Sequence, residues 1–106
     1  IVDVASVGPA FEHHPWFENR TNVEFAQILS PAKIRMRVWE RGSGITMACG
    51  TGACATFAAA KECGLVNGKT TLVLDGGELQ IENSSTNGDV IMTGPAQTVF
   101  EGKIEI

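Results

Sequence analysis

From residue 34 to residue 40 the chain alternates: Ile34, Met36 and Val38 against Arg35, Arg37 and Trp39. A period of two predicts a strand with one apolar face and one basic face that also carries the tryptophan. Residues 22–29, with Val23, Phe25, Ala26 and Ile28, read as a preceding strand that Pro31 ends. Residues 51–63 hold Ala53, Ala55, Phe57, Ala58, Ala59 and Ala60 without a proline, and Gly64 stands where a C-cap would fall, so this segment is helical. No charged residue lies between Ala53 and Ala60, which predicts a helix buried on all sides. Gly8-Pro9-Ala10-Phe11-Glu12 predicts a turn and a short helix that opens on the proline and stops near Pro15. Residues 70–74 and 78–82 read as strands joined through Asp75-Gly76-Gly77, and Asn87-Gly88 turns the chain into Val90-Ile91-Met92. A closing alternation of Val99, Glu101, Lys103 and Glu105 against Phe100, Ile104 and Ile106 predicts a last strand. Roughly six strands and one buried helix make an α+β fold, a curved and mostly antiparallel sheet (a partial barrel) wrapped around a central helix.

Composition narrows the partners. A chain of 106 residues is one small domain, and 43% hydrophobic with 19% charged residues is an ordinary globular balance. No apolar stretch approaches the roughly 20 residues of a membrane span, so a membrane partner is not expected. A formal charge of -4 without a basic run gives no reason to bind a phosphate backbone, and nucleic acid drops out. Three cysteines with no signal peptide ahead of them point to free thiols in a reducing cytoplasm. The chain begins at Ile1 without a methionine and enters ordered-looking sequence at once, which suggests a piece of a longer protein.

Candidate chemistry gathers around Cys49, one residue ahead of Gly50-Thr51-Gly52 and the alanine-rich helix. The unpaired N–H groups and dipole of a helix start favour a thiolate placed there and can hold an anion beside it. Gly50-Thr51-Gly52-Ala53-Cys54-Ala55 also fits a dinucleotide fingerprint, with Asp75 where a ribose-binding acid would be expected. Against that, a glycine-rich loop separates the upstream strand from the first glycine. The strand ending at Asp75 also turns back as a hairpin, which argues against a parallel crossover. Cys49, Cys54, Cys63, His13 and His14 match no zinc spacing, so no metal is expected. Cys54 and Cys63 read as apolar filler of the helix, His13 and His14 as loop residues, and Trp39 as a packing residue. Glu40 and Arg41 are either solvated strand-end charges or, delivered into the loop leading to Cys49, receivers for an ammonium and a carboxylate. A thiol, an arginine, a glutamate and a free helix start together suit an amino-acid substrate.

The segment Val38-Trp39-Glu40-Arg41-Gly42-Ser43-Gly44-Ile45-Thr46-Met47-Ala48-Cys49-Gly50-Thr51-Gly52-Ala53-Cys54-Ala55 resembles the diaminopimelate epimerases. Gly8-Pro9, Glu12, Arg20-Thr21-Asn22-Val23-Glu24-Phe25, Gly76-Gly77-Glu78-Leu79 and Met92-Thr93-Gly94-Pro95-Ala96 support it. The resemblance implies a cofactor-independent isomerase of lysine and peptidoglycan-precursor biosynthesis that interconverts LL- and meso-diaminopimelate. One cysteine takes the α-proton as thiolate, and another returns a proton from the opposite face. By resemblance Cys49 is one of the pair. Asn22, Glu40 and Arg41 would bind the distal amino-acid group, and Gly50 and Thr51 would offer N–H groups to the reacting α-carboxylate. Fixed donors are needed there, because an ordinary thiol of pKa about 8.5 is a weak base for a carbon acid.

The family is built from two similar domains, with the site in the cleft between them and a homodimer as the intact form. Residues 1–106 would be a partial C-terminal domain whose last strand, about 98–106, packs on the missing first domain. That domain would carry the second cysteine, which neither Cys54 nor Cys63 can replace from the same helix. The second domain's opening strands and an asparagine and histidine segment are also absent, and Ile45 stands where a glutamate is common. The fragment alone is therefore expected to be inactive. Proline racemase and the phenazine-pathway isomerases share the two-domain plan, but their motifs fit less well. A different class, a non-catalytic module binding a carboxylate or a nucleotide, remains the alternative.

Overall fold

In a computed structural model that describes residues 2–47, 49–96 and 101–105, two helices pack on opposite faces of one sheet. The elements are α1 (Val4–Glu12), β1 (Val23–Ser30), β2 (Lys33–Glu40), β3 (Gly44–Thr46), α2 (Gly50–Glu62), β4 (Thr70–Leu74), β5 (Gly77–Asn83) and β6 (Val90–Thr93). The sheet order is β1-β2-β4-β5-β6, with β3 on the far half of β2. Every pairing is antiparallel except β2 with β4, where Ile34 lies beside Leu72. The expected α+β architecture with a mostly antiparallel sheet is therefore present.

The alternation in β2 sorts the two faces. Ile34, Met36 and Val38 are buried, and the first two join Leu72, Leu74, Ile81 and the α2 residues Ala53, Phe57 and Ala60 in the core. Trp39 points to the opposite face, where its ring lies against Gly8 of α1. A Cβ on Gly8 would sit 2.5 Å from the indole, so only glycine allows this approach. Arg35 and Arg37 share the Trp39 face and both pair with Asp75 at the end of β4.

Four expectations are corrected. The first helix starts at Val4 rather than at the proline. Asp3 caps it, accepting from the Ser6 N–H at 3.3 Å and the Ser6 hydroxyl at 2.7 Å, and Pro9 falls inside it. A side-chain cap outweighed the proline as the start signal, although Pro9 cannot donate to the carbonyl of Ala5. The second helix is not buried all round: Gly52, Ala53, Phe57 and Ala60 are covered, whereas Ala55, Ala58, Ala59 and Glu62 are exposed. The open sheet covers one side, and short apolar side chains on the other carry no charge that would have revealed exposure. Cys63 is the exposed C-cap of α2 rather than core filler. The hairpin at Asp75 does not exclude a parallel pair either, because β4 lies parallel to β2 and then turns back into β5. Of the closing strand expected at 98–106, residues 97–100 and 106 lie outside the described residues, and 101–105 carry no regular structure.

Candidate active site

Cys49 is the N-cap of α2, with extended backbone (φ -148°, ψ 102°) and its carbonyl accepting from the Ala53 N–H at 2.9 Å. Its sulfur takes the place of the usual capping oxygen, accepting from the Gly52 N–H at 3.4 Å, with the Thr51 hydroxyl 3.6 Å away. Among the described residues the N–H groups of Gly50 and Thr51 have no acceptor, as expected for the first turn of a helix. A half-buried sulfur and two free donors thus share one helix start.

Both edge strands reach this point. Met92 on β6 comes within 3.2 Å of where a Cβ on Gly50 would stand, and the Glu24 carboxylate on β1 within 2.6 Å of where one on Gly52 would stand. The β4–β5 turn holds the loop ahead of Cys49, since the Gly76 N–H donates to the Met47 carbonyl at 2.7 Å.

The expected binding residues assemble at the far end of β2. Glu24 lies opposite Val38 in register, so strand alternation puts Asn22, Glu24 and Glu40 on the same sheet face as α2. The Asn22 carboxamide oxygen accepts from the Arg41 N–H at 2.7 Å, and the Arg41 guanidinium donates to the Asn19 carbonyl at 3.1 Å. The Glu40 carboxylate accepts from the Thr46 hydroxyl on β3 at 3.0 Å.

This turn is braced from behind by Glu12, a buried acid of α1. Its carboxylate accepts from the Trp39 indole N–H at 2.8 Å and from the Gly42 N–H at 3.1 Å, with Arg20 at 3.5 Å and His13 at 3.6 Å. The indole hydrogen bond, aided by the Gly42 N–H and by the nearby His13 and Arg20 side chains, holds Glu12 below the usual carboxylate range against the opposing effect of burial. Glu24 shifts the other way: burial raises its carboxyl, and the neighbouring Glu40 charge adds to the rise.

Sequence reasoning singled out Asn22, Glu40, Arg41, Cys49, Gly50 and Thr51 but gave no role to Glu24 or Glu12. The parity of β1 was the available signal for Glu24, two residues beyond Asn22 on one face. Glu12 had none, because its partners are distant in sequence. Trp39 is a packing residue, as read, and His14 lies edge-on to Trp16 at 5.0 Å, away from these groups. Asp75 is bound to two arginines and β3 intervenes between β2 and α2, so the features offered for a ribose are otherwise engaged. Among the described residues no helix is long and apolar enough to cross a membrane.

The family model described as Diaminopimelate epimerase matches residues 2–99. The chain belongs to the diaminopimelate epimerase family. It is 53% identical over 105 residues to the diaminopimelate epimerase of Synechocystis sp., covering 99% of this chain and 38% of that protein. The diaminopimelate epimerase of Phocaeicola vulgatus is 57% identical over 99% of this chain and 38% of its own length. That of Moorella thermoacetica is 58% identical over 93% of this chain and 36% of its own. The chain thus spans a little over a third of these epimerases. Among solved structures, the Bacillus anthracis phenazine biosynthesis protein of the PhzF family is similar, with a TM-score of 0.55 and 27% identity over 70% of this chain and 25% of that one.

Proposed function

We propose that this chain is the C-terminal part of a cofactor-independent diaminopimelate epimerase in which Cys49 is one of two acid/base cysteines. The observation that carries the reading is the sulfur of Cys49 at the N-cap of α2 beside the free N–H groups of Gly50 and Thr51. A substrate α-carboxylate seated on those donors presents its α-carbon to the sulfur. As the Cys49 thiolate takes the α-proton, an S–H bond forms, the C–H bond breaks and its electron pair moves onto the carboxylate. Fixed donors at a helix start stabilise that charge as it builds. A thiol on the opposite face then gives its proton to carbon, which inverts the centre, and the return reaction exchanges the two roles. Asn22, Glu40 and Arg41 receive the distal amino-acid group, with the ammonium on Glu40 and the carboxylate on Arg41.

The second cysteine comes from a first domain outside this chain, in line with the fraction of the relatives that the chain spans. On family grounds the intact protein is read as a cytoplasmic homodimer. The test is mass spectrometry of the full-length protein treated with an aziridine analogue of diaminopimelate. The adduct is expected on the Cys49 peptide or on the partner cysteine's peptide according to the stereoisomer used. Active protein in which neither stereoisomer labels Cys49 would overturn the assignment.

A further inference from the structure

Glu24 stands on the core-facing side of β1, opposite buried Val38, yet carries a carboxylate. It is turned toward the first turn of α2, where the missing side chain of Gly52 leaves a space with two occupants at its rim. The Glu24 Oε1 lies 2.6 Å and the Cys49 Sγ 3.1 Å from the point a Cβ would take. The two atoms are therefore no farther apart than the sum of those distances. No basic side chain pairs with Glu24 among the described residues.

The other groups around it can be read from each packed element. Glu40 faces it from β2, its carboxylate held by Thr46 of β3. On α2 the nearby titratable residues are Cys49 and Cys54, and the helix has no charged residue before Lys61. The arginines of β2 lie on the opposite face with Asp75, and β6 contributes the uncharged Met92 near the helix start. Among the described residues Glu24 and Cys49 thus face the same positive helix end with no cation paired to either.

We propose that Glu24 is a positioning residue for Cys49: the two share a single negative charge at the start of α2, and the state of the carboxyl governs whether the sulfur is thiol or thiolate. In one arrangement Glu24 is a carboxylate and Cys49 a thiol. In the other the carboxyl carries the proton, an O–H bond replacing the S–H bond, and the sulfur is the base. Two anions this close in a half-buried site repel, so a proton on one favours the charged form of the other. The carboxyl of Glu24 is itself raised, first by burial and then by the Glu40 charge. The inference rests on the reading of Cys49 as an acid/base.

The test is the rate of iodoacetamide labelling of Cys49, read by peptide mass from about pH 5 to 10 on the full-length protein. In the unaltered protein the rate is expected to climb in two steps, because loss of the Glu24 proton holds back the thiolate before it finally forms. A single step overturns the proposal, and this measurement does not depend on any variant folding. In Glu24→Gln the acid-side step is expected to vanish and labelling at neutral pH to rise about tenfold, one unit in the midpoint. A variant profile superimposable on the original overturns it. Labelling needs no turnover, so an epimerase assay on the same preparations reads the role of Cys49 separately. Turnover that continues with a single-step profile sinks the pairing alone, whereas a two-step profile without turnover sinks the epimerase reading.

Discussion

Cys49 and Glu12 are both held by hydrogen bonds, yet only one could be found by reading along the chain. Cys49 caps a helix whose residues follow it directly, so the N-cap is a local event. Glu12 bonds to Trp39 and Gly42, 27 and 30 positions away, and nothing short of the folded chain brings them together. The acidic groups also set a pH dependence. Asp75 is held below its ordinary value of 3.8, first by its hydrogen bond from Arg35 and then by Arg37, and Glu12 below 4.5 by Trp39. A carboxyl lowered by folding contributes stability that is present above its unfolded pKa and lost as pH falls through the folded one. Glu24, raised by burial, has the opposite sign, and its contribution fades as pH rises through its folded value. The melting temperature is therefore expected to fall as pH drops below about 4, where the Asp75 and Glu12 contributions are lost. Asp75→Asn should shallow that acid limb in a thermal melt series, and an unchanged limb would remove the arginine clamp from the explanation.

At the scale of elements, the alternation of β2 was legible because each face meets a different environment, core on one side and α1 on the other. Strand β3 was not, since three residues in a glycine-rich loop carry no period, and only pairing with residues 38–40 of β2 defines them. The same limit applies to the approach of α1 to the sheet, which turns on Gly8 beneath the Trp39 ring. A methyl there would fall within 2.8 Å of three Trp39 side-chain atoms. Gly8→Ala is expected to lower stability by about 1–3 kcal/mol, the usual effect of overpacking, measured by urea unfolding. Because α1 also carries Glu12, the variant should loosen the Glu40-Arg41-Gly42 turn. A loss below about 0.5 kcal/mol would mean the ring shifts freely.

At the scale of the whole molecule, the described residues form a sheet that ends in β1 and β6, curving so that both reach the start of α2 while the outer face of that helix stays exposed. Exposed Leu29, Val90, Ile91 and Met92 lie on or beside those edges, where another chain can pair. The 106-residue chain alone is expected to incorporate no solvent deuterium at the α-carbon of diaminopimelate, as read by NMR. Exchange at the rate of a full-length relative would show that one cysteine suffices. Sequence by itself determined the strand and helix periods, the cap at Cys49 and the motif that marks the family, because each rests on neighbours within a few residues. Tertiary structure alone decided the parallel contact of β2 with β4, the exposure of the outer face of α2, the Glu12 brace and the placement of Glu24 beside Cys49. These depend on which surfaces meet, and residues far apart in the chain interact only once the sheet has brought them within hydrogen-bonding and Coulomb range.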